Sequence, residues 1–213
     1  LTPVRSEKAS NWEGAVRVPC AVRWPGRIAP GSVSNEIFSN LDWFPTLIAA
    51  AGDPDIKQKL LTGFQTAART YKVHLDGYNQ LPLLTGQTQE GPRKEFYYFN
   101  DDGAMVAMRY ERWKVVFQET RGVRFGVWRE PFVELRVPKL FDLRMDPCER
   151  ADDSSTTSNA WFMSRVYLLV PAQAMARQFY ESFREFPPRQ RPDSFNLEGV
   201  LRQMEEAASG GKH

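Results

Sequence analysis

Few side chains in this 213-residue sequence have types and spacings that do chemistry, and the densest group lies near its start. Lys8 is followed by the polar turn Ala9-Ser10-Asn11, then Trp12-Glu13-Gly14-Ala15, then Arg17-Val18-Pro19. The ammonium of Lys8 is a compact point charge with three donors, and read by itself it is an exposed lysine near the start of the sequence. Around it, Gly14 suits a tight backbone turn, Glu13 and Arg17 suit structural ion pairs, and Trp12 suits packing. His74 is the only histidine besides the terminal His213. Histidine is a common general base, but no Ser or Cys nucleophile motif accompanies this one, so a hydrogen-bonded structural role is the expectation. Cys20 and Cys148 lack metal-like spacing and read as two free thiols, one of them buried. Asp101-Asp102 pairs two carboxylates at a hairpin turn, where turn geometry alone favours Asp, so it is not read as a metal site.

The elements that must position these groups follow from periodicity. Val16 to Trp24 is short, apolar and closed by Pro25-Gly26, which predicts a buried strand ending in a turn. Asp42 as N-cap, Pro45 in the first turn and Gly52 as a stop predict a helix with Leu41, Phe44, Leu47, Ile48 and Ala51 on one face. Asp53 to Tyr71 reads as a variable connection. Glu95–Phe99 and Ala104–Tyr110 flank Asn100-Asp101-Asp102-Gly103, a hairpin signal. Trp113–Gln118 and Leu140–Leu143 read as third and fourth strands. A sheet of this size needs a covering layer. The helix predicted over Pro171–Phe186 supplies one through Ala172, Met175, Phe179, Phe183 and Phe186, and Pro187-Pro188 ends it. A last short helix is expected from Asn196 to Glu206.

Composition sets outer limits. The apolar fraction of 42% and the charged fraction of 25% are those of an ordinary globular chain. A net charge of +2 argues against nucleic acid or an anionic membrane as partner. No apolar run approaches the roughly 20 residues that span a bilayer.

The segment from Lys8 to Pro19 resembles the lysine segment of type I sulfatases in the alkaline-phosphatase superfamily: Lys-Gly-Thr, an aromatic, Glu-Gly-Gly, then Arg-x-Pro. Ala9 and Ala15 stand where that family has Gly. Val73 to Gly86, with Asp76-Gly77 and Leu81-Pro82-Leu83-Leu84-Thr85-Gly86, is similar to the family's link between the α/β layer and the C-terminal subdomain. Tyr97 to Lys114 and Leu140 to Asp152, the latter with Asp146-Pro147-Cys148-Glu149-Arg150, resemble two later family segments in the same order.

The resemblance implies the C-terminal portion of an arylsulfatase-type enzyme. It implies an α/β remnant of a sulfatase sheet layer over residues 1–86, then an α+β subdomain over residues 87–213, a small antiparallel sheet packed by a long C-terminal helix. It assigns Lys8 a contact with the sulfate of a small sulfate-ester substrate. It also implies a formylglycine nucleophile, made in a Cys/Ser-x-Pro-x-Arg motif, and Ca²⁺, both belonging to a complete enzyme with an N-terminal sulfatase part. In this chain Leu1-Thr2-Pro3-Val4-Arg5 carries the Pro and Arg but has Leu at the nucleophile position, so no metal or cofactor ligands are assigned here and the chain alone is expected to be catalytically incomplete. Two readings stay open beside it: a non-catalytic interaction or anion-binding module, and part of a related phosphonate or phosphate-ester hydrolase.

Overall fold

The strand-forming stretch from residue 95 to residue 142 builds the organising layer of the computed structural model, which describes residues 3–189 together with 201, 204 and 205. In chain order the elements are α1 (Glu13–Val16), α2 (Trp43–Ala50), α3 (Ile56–Thr62), β1 (Phe64–Gln65), β2 (Thr70–Tyr71) and α4 (Leu81–Leu84). The sheet strands β3 (Glu95–Phe99), β4 (Met105–Tyr110), β5 (Trp113–Glu119) and β6 (Val133–Asp142) follow, then α5 (Ala151–Ser154), α6 (Ser158–Met163) and α7 (Leu169–Glu181). Two compact units result: one takes the chain up to Val18 and again from Tyr97, the other is Pro19–Phe96.

In the first unit the strands lie in the order β3-β4-β5-β6, and the pairings of β4 with β5 and of β5 with β6 are antiparallel. The turn from β3 to β4 is the one the sequence signals. Gly103 has φ +77°, its N–H donates to the Asn100 carbonyl, and Asn100 Oδ1 accepts from the Ala104 N–H at 2.8 Å. The fourth strand is longer than Leu140–Leu143 suggested, because Pro138 interrupts the reading. It is tolerated because β6 is an edge strand and the register slips between Val116 and Gln118 on the facing strand.

Side chains alternate across a pleated strand, so each row of register partners serves one face. Met108, Val115 and Leu140 form one such row and are buried with Ala172 of α7; Met175 and Ala176 pack beside them. Phe179 stacks on Tyr97 at 4.2 Å between centroids, and Phe183 meets Phe179 edge-on at 5.3 Å. The long helix therefore covers one face as its apolar stripe requires, although the rings of Phe179 and Phe183 are half-buried. The adjoining row, Arg109, Lys114 and Phe141, lies on the other face. Trp12 covers it, 2% exposed and edge-on to Phe141 at 5.9 Å.

Two expectations fail. Val16–Trp24 forms no strand; beyond the helical turn of α1 it is irregular and exposed. A strand needs neighbouring strands for its backbone donors and acceptors, and none lies beside it among the described residues. In α2 the buried residues are Pro45, Thr46 and Ala49, whereas Leu41, Phe44 and Leu47 are exposed. Asp42 takes the N-cap position of α2, but its side chain makes no capping bond there. Ser39 caps the preceding turn and Asp42 closes its capping box, which frees Asp42 for a larger role in the second unit. The helix expected over Asn196–Glu206 falls almost wholly outside the described residues.

In the second unit Asp42 is fully buried and accepts from Arg93 (Nη2 to Oδ1 at 2.6 Å, Nε to Oδ2 at 2.9 Å), from Gln80 Nε2 and from the N–H groups of Ser39 and Tyr78. Burial disfavours its charge, but the hydrogen bonds led by Arg93 outweigh that and hold the carboxyl below its ordinary value. Gly77 is required beside this hub, since a Cβ there would overlap the Leu41 carbonyl oxygen.

Candidate functional site: the lysine turn and its support

Trp12, Glu13 and Gly14 are held from three sides, and that hold sets where Lys8 stands. Glu13 is 1% exposed and accepts from the Tyr98 hydroxyl at 2.8 Å and from Lys114 Nζ at 3.3 Å, with Arg109 at 3.5 Å from its other oxygen. Lys114, itself fully buried, reaches Glu149 at 2.7 Å, and Glu149 Oε2 accepts the Glu13 backbone N–H at 2.6 Å. One ammonium thus lies between two buried carboxylates.

The two carboxylates respond differently. Burial opposes the charge of each. At Glu13 the attraction of Lys114, the Tyr98 hydroxyl and Arg109 prevails and lowers the pKa. At Glu149 burial prevails over Lys114 and the Glu13 N–H, and the pKa is raised. Tyr98, buried against Glu13, is pushed well above the usual phenol range.

The indole of Trp12 is clamped by cations. The Arg5 guanidinium lies 3.6 Å from its ring centre, and Lys114 and Lys139 each stand 5.8 Å away. Arg5 in turn donates to the Glu149 carbonyl and to Asp152, and Lys139 bridges Glu119 and Asp152 at 2.7 Å each. Asn11 Nδ2 donates to the Gln118 carbonyl at 2.8 Å. Gly14 gives its N–H to the Arg5 carbonyl at 2.9 Å, and a Cβ there would overlap the carbonyl oxygens of Arg5 and Ser6.

Lys8 sits on the turn that this lattice leaves outside. Ser10 closes the turn through its N–H and hydroxyl onto the Glu7 carbonyl, at 3.2 and 2.7 Å. Ala9 within it has φ +76°, which explains Gly at this position in the resembled pattern: Ala adopts a backbone that Gly takes without steric cost. The Lys8 side chain is exposed, with Nζ 5.7 Å from the centre of the Trp128 ring.

The other chemistry-bearing residues do not join it. His74 pairs with Asp76 at 3.2 Å and lies in the second unit. Asp101 and Asp102 are exposed in the hairpin turn; Cys20 is exposed and Cys148 half-buried, both free, so neither is the buried thiol expected, because Cys20 lies in a stretch that joins no sheet. Among the described residues no three His, Cys, Asp or Glu side chains are grouped to hold a metal ion, and these residues do not fit a Ca²⁺ centre. No described helix is long and apolar enough to cross a membrane.

Sequence reasoning missed Lys114 and Glu149 as partners of Glu13. The available signal was a lysine inside the apolar run Trp113-Lys114-Val115-Val116-Phe117, since a buried ammonium requires carboxylates. It also missed Trp128, because the rings of the loop Arg124-Phe125-Gly126-Val127-Trp128-Arg129 carry no periodic signal.

Comparison with known proteins accords with this geometry. Residues 6–160 match the family model for the C-terminal region of N-sulphoglucosamine sulphohydrolase. Arylsulfatase A of Homo sapiens is 31% identical over 157 residues, which cover 68% of this chain and 28% of that protein. Steryl-sulfatase of Rattus norvegicus is 39% identical over 106 residues, covering 49% of this chain and 16% of that protein. The chain therefore spans under a third of the length of these relatives. The crystal structure of the PsFucS1 sulfatase from Pseudoalteromonas sp. superposes with a TM-score of 0.69 at 21% identity, covering 88% of this chain and 34% of that one, a likeness of fold. The family match spans the lysine turn, the sheet that pins it and the strand that supplies Lys114, and on that ground this chain belongs to the sulfatase family, of the C-terminal kind.

Proposed function

We propose that this chain is the C-terminal part of a sulfuric-ester hydrolase of the arylsulfatase type, and that Lys8 contacts the sulfate of the ester in the complete enzyme. The observation that supports this is the contrast along one short segment: Trp12, Glu13 and Gly14 are buried or pinned, while Lys8 next to them is presented to solvent. A cation held by a rigid base is what charge stabilisation on a non-bridging or leaving oxygen requires. In this reading residues 1–86 close the α/β catalytic layer and residues 87–213 form the C-terminal subdomain, although residues up to Val18 pack with the sheet in this chain. A formylglycine nucleophile and Ca²⁺ belong to the N-terminal sulfatase part. Nothing in the described residues supplies either one.

The test has two arms. The chain alone shows no turnover of 4-nitrophenyl sulfate. Joined to an N-terminal sulfatase part it turns the ester over, and Lys8→Ala lowers kcat by about 10²–10³-fold, with Lys8→Arg recovering little because a planar fork replaces a point charge. Turnover by the chain alone, or an unchanged kcat in the Lys8→Ala enzyme, sinks the reading. Preference for 4-nitrophenyl phosphate over the sulfate instead selects the phosphate-ester alternative.

A further inference from the structure

The loop between β5 and β6 places an aromatic wall beside Lys8. Gly122 and Gly126 approach so closely that a Cβ on Gly122 would overlap the Gly126 carbonyl, which closes the loop at its neck. Val127 is 4% exposed and anchors the turn, while Trp128 and Phe125 on either side of it are 55% and 65% exposed. The turn is a short 3₁₀ segment, Arg124–Trp128, fixed by N–H donation from Gly126 to Val123 and from Arg129 and Glu130 to Gly126. Arg124 is held at φ +53° and Arg129 lies over the Phe125 ring at 4.6 Å. Large rings are thus kept in water by an anchored loop that also carries Arg124, Arg129 and the Glu130 carboxylate, next to the Lys8 ammonium.

We infer that Trp128 is the wall against which the organic ring of the ester lies while its sulfate is held by Lys8, with Arg124 and Arg129 favouring ligands that carry further negative charge. The inference rests on the Lys8 reading above. The distance fits: the ammonium is 5.7 Å from the centre of the indole, so a ring one ester bond from a sulfate on Lys8 is within reach of that indole face. Ring faces, whether aryl or sugar, stack on an indole through apolar contact. Inorganic sulfate has no such face and interacts with the cations alone.

The experiment is titration of the 213-residue chain, followed by NMR of the Trp128 indole N–H and the Lys8 side chain. The probes are 4-nitrophenyl sulfate, glucosamine 6-sulfate and inorganic sulfate. Trp128→Ala, at an exposed position, is expected to weaken the ring-bearing probes by about three- to tenfold and to leave inorganic sulfate unchanged; Lys8→Ala weakens all three. A larger loss for the aryl probe identifies an aryl ester as the ligand, and a larger loss for the sugar a sulfated saccharide; either supports the wall. If Trp128→Ala binds the ring-bearing probes as the parent does, or if the indole signal never shifts, the wall is overturned and the Lys8 reading stands. If Lys8→Ala binds every probe as the parent does, the Lys8 reading falls and the wall's role falls with it.

Discussion

The two units each bury a charge centre, and they use it differently. Around Lys114 the first unit has an extensive apolar interior: Val106, Ala107, Met108, Val116 and Phe141 are all essentially out of water. The second unit has little of this, its buried apolar side chains being Pro45, Ala49, Ile56 and Leu60. There Asp42 ties Ser39, Tyr78, Gln80 and Arg93 together, and Leu41, Phe44 and Leu47 remain exposed. A buried ion pair is weak evidence of net stability, because desolvation offsets its Coulomb attraction, yet breaking one leaves an uncompensated charge. In the first unit the pair decides where a segment lands on an already stable sheet. In the second, one carboxylate does much of what a core does elsewhere.

The sharpest break in this comparison is Lys114→Ala, which strands two carboxylates in the interior. It is expected to cost about 3–5 kcal/mol in denaturant titration. A variant within error of the parent would mean that the network is ornamental to the sheet. Asp42→Asn tests the second unit. It keeps the shape and removes the charge, at an expected cost of about 2–3 kcal/mol at pH 7.

That variant also carries a pH signature. The Asp42 carboxyl is held below its ordinary value of 3.8 in the folded state. Its contribution is therefore complete above that value and is lost as pH falls below 3.8 through the folded pKa. The parent should lose stability over that acid window, and Asp42→Asn should flatten the loss; equal slopes would remove Asp42 as its source. Phe179→Ala then probes the helix face. Because the ring is half-buried, about 2 kcal/mol is expected rather than the larger cost of a fully buried Phe. The smallest effect has the opposite sign: Ala9→Gly relieves a positive φ and should stabilise by about 1 kcal/mol, read as a raised midpoint. A lowered midpoint would show that the strain at Ala9 is not what the backbone suggests.

Much of the first unit was legible in the residues. The Asn100–Gly103 turn, the limits of β3 to β5 and the apolar stripe of the long helix all follow from local turn chemistry and side-chain period. The polar turn after Lys8 was legible too, and the resemblance to the sulfatase pattern marked Ala9 as a position where Gly is usual. The second unit is less legible. The helix Trp43–Ala50 and its Gly52 stop were foreseen, but its buried face was inverted, because period shows that a helix has an apolar stripe and not what covers it.

By itself, then, the sequence determined the elements whose hydrogen bonds and turns close within a few residues, and the order of segments that marks a sulfatase C-terminal region. Tertiary structure decided the rest. Val16–Trp24 has strand composition and no strand, because its pairing groups would have to come from elsewhere. Trp12 became the cover of the sheet's second face only because Arg109, Lys114 and Phe141 fall in one row across three strands. Glu149, 136 residues from Glu13, meets it for the same reason. Pairings of that separation carry no local trace: they are set by which faces the folded sheet leaves open and which buried charges must be neutralised there.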